Sequence, residues 1–348
     1  MKSFWTILLV ILIIAGFGVG GYFGYQYLFK KDQFQWGVTM RPHAIGNYTE
    51  KNWAKQLNLA KTLGVNSARI TWQHDGWYKG KTNPFGFYDE LVKTLKANNI
   101  NMLLVVEPDP KKQITDFYQD AFDNGKAIAS HYKGKIKYYQ LMNEGGAQSL
   151  KNPTDNGQSE SQYDEKEYAI VKDYMRGLSD GISSVDSKAI KIVTVSYTHT
   201  GFLDKITKDG IKFDWIGVDW YNWMGPIQDK TMEDGSSFVE KLKSYNKPLT
   251  FMEVNAVTDV NKATGEKVVN EDNQADFISK TAEWAWENRK FVKGFYVLEL
   301  VDNANNNASN AENFGIVAAT KVKSKITLGD PRKAYLVYQA IIKKYSGK

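Results

Sequence analysis

Beyond an apolar N-terminal stretch, the chain alternates short runs rich in Val, Ile, Leu and aromatic residues with longer segments whose apolar positions recur at helical spacing. The β-rich runs are Gln35 to Met40, Ser67 to Trp72, Asn101 to Glu107, Ile136 to Met142, Lys191 to Ser196, Trp215 to Trp220, Leu249 to Val254 and Gly294 to Leu300. Met102 to Val106 reads MLLVV, continuous rather than alternating, as strands buried on both faces do. Between the runs, Trp53, Leu57, Ala60 and Leu63 fall on one helical face, with Gly64 as a stop, and Tyr88, Leu91, Val92 and Leu95 repeat the pattern before Asn98 and Asn99. Strand and helix alternating eight times predict a closed parallel (β/α)8 (TIM) barrel in the α/β class. An open doubly wound sheet is the alternative, but no Gly-rich phosphate turn follows any of the runs. Two segments are long and polar for ordinary connections, Gly145 to Asp164 and Asp302 to Pro331, and both follow strand C-termini.

The first residues read differently. Phe4 to Phe29 carries no charge and exceeds the roughly 20 residues that a helix needs to cross a bilayer. Its apolar run continues past the weak small-residue site at Val19-Gly20-Gly21, which favours an uncleaved signal anchor over a removed signal peptide. The division expected is therefore an anchor over residues 1–31 and one catalytic domain over 32–348. Only a few residues precede the span and the chain has no cysteine, so the domain is expected outside a bacterial, Gram-positive cytoplasmic membrane.

Composition narrows the partners. The formal charge of +6 owes half its value to Lys2, Lys30 and Lys31, leaving 42 basic against 39 acidic residues from Asp32 onward. Without a basic stripe, nucleic acid is not an expected partner. With 10 Trp, 20 Tyr and 17 Phe, flat surfaces for stacking on sugars are plentiful. His43, His74, His131 and His199 show no metal-ligand spacing, so neither a metal nor a cofactor is expected. Asp302 to Asn307 offers oxygen ligands but lacks the Gly and Glu of a calcium loop, and reads as a solvated turn.

The chemistry gathers at two strand ends. Tyr138-Tyr139-Gln140-Leu141-Met142 leads into Asn143-Glu144, and Leu249-Thr250-Phe251-Met252 leads into Glu253. An acid at the end of an apolar strand is partly desolvated, so partners or a chemical use must offset its burial. In an eight-stranded ring, strands four and seven bring two such side chains face to face across the mouth. Glycoside hydrolysis needs that arrangement: one carboxylic acid protonates the leaving oxygen, and the other attacks the sugar or activates water.

Asn143-Glu144, Glu253, the second-run Val65-Asn66-Ser67-Ala68-Arg69-Ile70, and Glu312-Asn313-Phe314-Gly315 leading to Pro331-Arg332-Lys333-Ala334-Tyr335 together resemble the retaining (β/α)8 glycoside hydrolase clan. The cellulase and mannanase-like family 5 and the family 39 type are the nearest patterns. The resemblance implies Glu144 as general acid/base, Glu253 as nucleophile, and Asn143 bonding the hydroxyl beside the reacting carbon. It also implies that Tyr221 holds the nucleophile and that Arg69 lends it a positive charge. Two features depart from the pattern: the eighth run has no tryptophan, and Asp219 stands where many family 5 members carry a His.

Each assignment has a structural alternative. The glutamates could be structural acids paired with a barrel Arg or Lys, Asn143 a loop cap, Tyr221 an inward core tyrosine, and Arg69 a partner of Glu107. Trp72, Trp77, Trp220 and Trp223 could stack on sugar or pack in the core, and His199, like His43, could bind sugar hydroxyls. The expectation is an anchored extracellular retaining glycosidase acting on a poly- or oligosaccharide. A transglycosidase, a lapsed barrel that only binds polysaccharide, and a phosphate-handling barrel are the alternatives. The last lacks a Gly-rich loop after the seventh or eighth run.

Overall fold

The computed structural model describes residues 33–42, 48–78, 81–256, 259–260, 267–268, 270–304 and 314–347. Phe4 to Phe29, His43, Asn305 to Asn307, Glu312 and Asn313 lie outside the described residues, as does the side chain of Trp77. No helix among the described residues is long and apolar enough to cross a membrane.

Gln35 to Lys348 form one compact unit. Its barrel strands are β1 (Gln35–Thr39), β2 (Ser67–Thr71), β3 (Asn101–Val106), β4 (Tyr138–Leu141), β5 (Ile190–Ser196), β6 (Trp215–Tyr221), β7 (Leu249–Asn255) and β8 (Val292–Val297). All pair in parallel and close into a ring, β8 returning to β1 through Gln35 against Gly294. The helices that follow them in turn are α1 (Glu50–Leu63), α2 (Pro84–Ala97), α3 (Phe117–Tyr132), α4 (Glu165–Val185), α5 (Thr200–Lys208), α6 (Phe238–Ser244), α7 (Glu271–Glu287) and α8 (Lys333–Ser346). The (β/α)8 barrel predicted from the run pattern is the observed fold, and each predicted run contains most of one strand.

Local chemistry accounts for the helix boundaries. Thr49 caps α1 by accepting from the Asn52 amide, Asn52 answers with its own side chain, and the helix stops at Gly64 in the left-handed region. Asn83 caps α2 by accepting from the Gly86 amide, and Pro84 occupies its first turn.

Inside the ring, Leu103, Val105, Tyr138, Ile192, Trp215, Met252 and Tyr296 form a buried apolar plug. Small residues make room for it. A Cβ on Gly37 would lie 2.1 Å from the Tyr296 ring, and one on Gly217 would lie 2.6 Å from Met252. The barrel is thus packed and not a pore, and chemistry is confined to its mouth.

The segment after β8 differs from the solvated turn expected. Asp302 is 2% exposed and takes both guanidinium nitrogens of Arg332, at 2.7 and 2.6 Å, while the amides of Gly315 and Ala319 donate to it at 3.0 Å. Its partners lie far along the chain, so its surroundings alone read as polar turn. The same segment holds an antiparallel hairpin, Val317–Val322 with Lys325–Pro331, that the sequence pattern did not predict.

Candidate active site

Side-chain parity decides what reaches the mouth. Successive residues of a strand face opposite sides, so Ser67, Arg69 and Thr71 of β2 share the inner face, as do Gln140 on β4, Thr194 and Ser196 on β5, and Asp219 and Tyr221 on β6. On β7 this alternation is broken. Met252 belongs to the inner plug, so its neighbour Glu253 should face outward. The register against β6 shifts between Val218 and Asp219, and the β8 register shifts at the same level. This bulge turns Glu253 inward as well, the known use of an extra strand residue beside a site.

Glu253 is 7% exposed and both its oxygens are held. Arg69 Nη1 lies 2.8 Å from Oε1, and the Tyr221 hydroxyl donates to Oε2 at 2.7 Å. Arg69 also donates to Gln140 Oε1 at 2.8 Å and to Asn143 Oδ1 at 2.7 Å. Gln140 in turn donates to Asn143 Oδ1 and to Thr194 Oγ1. A guanidinium this buried is tolerable only with such complete satisfaction. Burial and the negative charge of Glu253 push the Tyr221 hydroxyl far above the ordinary phenol range.

Glu144 enters from β4 in an unusual conformation. Its φ is +44°, and Met142, two residues earlier, has φ +67°. Left-handed backbone at residues other than glycine costs about 1–3 kcal/mol each and persists where surroundings enforce it. Here the Glu144 amide donates to Thr194 Oγ1 at 3.0 Å. Behind it the turn Gly145–Gln148 runs so close to α4 and α5 that a Cβ on Gly145 would meet Met175 and Val171 at 2.7 Å, and one on Gly146 would meet Phe202 at 3.0 Å. Burial raises the Glu144 carboxyl above its ordinary 4.5, and the charge of Glu253 adds to it, while hydrogen bonds from Ser196 and Asp219 pull the other way.

One oxygen from each of Glu144, Asp219 and Glu253 lies within 4.8 Å of the others. Sequence reasoning noted Asp219 only as a departure from a family pattern. Its place on the inner face, two residues before Tyr221, was the available signal. The same spacing could suit a metal ion, but both Glu253 oxygens are already engaged by Arg69 and Tyr221. Glu107, at the end of β3, also belongs to the mouth: it accepts the Asn143 amide at 3.3 Å, and burial raises its carboxyl. Arg69 pairs with Glu253 and not, as the alternative had it, with Glu107.

The aromatic and histidine expectations divide. Trp223 is 56% exposed and its ring stacks on Tyr221 at 4.5 Å, at the edge of the carboxylate cluster. Trp220 is fully buried on the outer face of β6, stacked on Phe238, with its indole N–H given to the Gly225 carbonyl. Trp72 is likewise turned outward, 4.5 Å from Tyr88 and 5.4 Å from Phe85. Neither presents a free ring face, because both sit one residue out of phase with the inner positions. His199 is buried beneath the loop after β4, where a Cβ on Gly157 would come 2.3 Å from its ring, and burial lowers it to about 4. It is a neutral packed ring, not an open ligand for a sugar hydroxyl. The loop itself leans on the β6–α6 connection, with Gln158 Oε1 accepting the Glu233 amide at 2.8 Å.

Fold and site together define a (β/α)8-barrel protein that gathers the carboxyl groups of Glu107, Glu144, Asp219 and Glu253, one guanidinium and one phenol at the C-terminal mouth. No protein-family profile matches the chain, and no curated protein matches it by sequence. Among solved structures it is similar to a family 1 β-glucosidase from Thermotoga maritima, with TM-score 0.63 and 14% identity over 89% of this chain and 97% of that one. The β-glucosidase from Thermotoga maritima in complex with noeuromycin gives 0.64 at 14% identity, over 90% and 98% of the two chains. With cyclophellitol bound, that β-glucosidase gives 0.62 at the same identity and coverage. At this identity the likeness is one of fold.

Proposed function

We propose that the chain is a retaining glycoside hydrolase acting on a poly- or oligosaccharide. The carrying observation is the pairing of Glu144 and Glu253, which approach within 4.8 Å in unlike environments. A gap this small leaves no room for water between the two groups, as an inverting mechanism requires, and suits the covalent route. Glu253, ion-paired with Arg69 and hydrogen-bonded by Tyr221, attacks the anomeric carbon while the bond to the leaving oxygen breaks. Glu144, whose carboxyl burial and its neighbour's charge raise above the ordinary range, gives its proton to the leaving oxygen. Water then yields a proton to Glu144 as its oxygen attacks the same carbon, and the ester to Glu253 opens. Two inversions leave the configuration unchanged. Asn143, tied to Arg69 and Gln140, is placed to bond the neighbouring hydroxyl, and Trp223 offers an apolar platform at the entrance. That the similar structures are β-glucosidases, one of them bound to glucoimidazole, is consistent with a sugar substrate.

A panel of activated 2-fluoro glycosides, read by intact mass, tests this reading and names the sugar. Adduct formation with a member of the panel is expected. No adduct, with the polysaccharide bound but uncut, would favour the lapsed barrel, whereas an adduct released faster by sugars than by water would favour a transglycosidase.

We further propose that residues 1–31 anchor this domain outside the membrane, on the strength of the uncharged run Phe4 to Phe29. The full chain should stay with membranes through a high-salt wash while external protease digests the barrel. A soluble form beginning near Tyr22 would contradict the anchor.

A further inference from the structure

Asp219 is the one member of the carboxyl cluster to which the double displacement gives no task. It is fully buried on β6, and among the described residues no amide, hydroxyl or cation donates to either oxygen. The donors nearby are spent elsewhere: Tyr221 on Glu253, and Arg69 on Glu253, Gln140 and Asn143. The group left beside it is the Glu144 carboxyl, one oxygen of which lies within 4.8 Å of an Asp219 oxygen and which also meets the Ser196 hydroxyl. Two carboxylates cannot hydrogen-bond each other without a proton between them. With Arg69 already paired to Glu253, an ionised Asp219 would be a fully buried charge with no partner of its own, at severe cost.

We infer that Asp219 is a permanently neutral carboxylic acid whose single hydrogen bond goes to Glu144, orienting that group and stabilising the carboxylate it becomes once its proton has left. Asp219 is thus a positioning residue. Its own proton stays in place through both displacements, while the proton of Glu144 departs with the leaving group and is replaced from water. Among the described residues, the titratable and charged groups facing the pair are Glu253 from β7, Arg69 from β2 and Tyr221 from β6. Burial first, then the charges of Glu253 and Glu144, hold the Asp219 carboxyl well above the ordinary 3.8, in line with this protonation. The consequence for turnover rests on the glycosidase reading; the protonation itself does not.

The test therefore has two readouts. In the infrared at neutral pH, the full chain minus its isosteric Asp219→Asn variant should leave a protonated carboxylic C=O band. A carboxylate band in its place would overturn the inference whether or not any glycoside is cleaved. If the acid band is present and no glycoside turns over, Asp219 is as inferred and the glycosidase reading fails instead. The second readout is the alkaline limb of kcat/KM, which reports Glu144. Asp219→Leu removes the donor, so the limb should move to higher pH by about one unit or more. Asp219→Asn keeps an uncharged donor and should return the limb to the parental position, whatever its rate. A limb that moves to lower pH in both variants would mean that Asp219 carries a negative charge, and one that moves in neither would mean that it does not donate to Glu144. Either result overturns the inference.

Discussion

Arg69 Nη1 stands 2.8 Å from Glu253 Oε1, joining strand β2 to strand β7 across the barrel mouth, with both side chains withdrawn from solvent. The pair ties charge to position, because the same guanidinium also holds Gln140 and Asn143 on the β4 side. Glu253→Gln keeps the shape and removes the proposed nucleophile. Steady-state assays should show turnover falling at least about 10⁴-fold on every substrate, with no adduct from activated glycosides. Appreciable residual turnover would place the nucleophile elsewhere.

Glu144→Ala should part substrates by leaving group. Dinitrophenyl glycosides need no proton on departure, so their first step should survive while hydrolysis of the covalent form slows. Added azide should then restore turnover and yield a glycosyl azide of retained configuration, identified by mass and NMR. An equal loss on activated and natural substrates without azide rescue would remove Glu144 from the acid/base role.

Trp223 stacks on Tyr221 yet leaves more than half its surface open, so its share of binding should be uniform across ground and transition state. Trp223→Ala is expected to raise KM roughly tenfold with little change in kcat. The same substitution at Trp220 should instead lower the melting temperature, since it empties a packed site at a cost of about 3–5 kcal/mol.

The stability of the barrel should fall as pH rises through the weakly acidic range. Glu299, beside Arg41 and almost fully buried, is raised by that burial from an ordinary 4.5 to about 7. The folded form therefore holds this proton where the unfolded chain releases it, so stability is lost as pH rises from about 4.5 to about 7, by an amount on the order of 3 kcal/mol. In denaturant titrations at several pH values, Glu299→Gln should remove that slope. Parallel pH dependences for variant and parent would contradict the assignment.

Those parts of the molecule governed by short-range pattern were legible in the sequence. Strands buried on both faces, such as Met102 to Val106, leave continuous apolar runs, and caps such as Thr49 and stops such as Gly64 mark helix ends. Residue type alone misplaced Trp72, Trp220 and His199, since a one-residue phase on a strand, or a loop folding over a ring, decides exposure. Parity would have singled out Asp219 alongside Tyr221, and would have turned Glu253 the wrong way, because the bulge beside Met252 leaves no mark in the sequence. The Asp302–Arg332 pair was illegible for a different reason: each charge looks solvated until the fold brings together two residues 30 positions apart.

In the proposed mechanism, Glu144 and Glu253 carry out two successive inversions at one carbon. Proton NMR of the first product formed from a substrate that the protein cleaves, recorded before the anomers equilibrate, tests it most directly. A first product with the configuration of the substrate is expected, whereas initial release of the opposite anomer would rule out the double displacement.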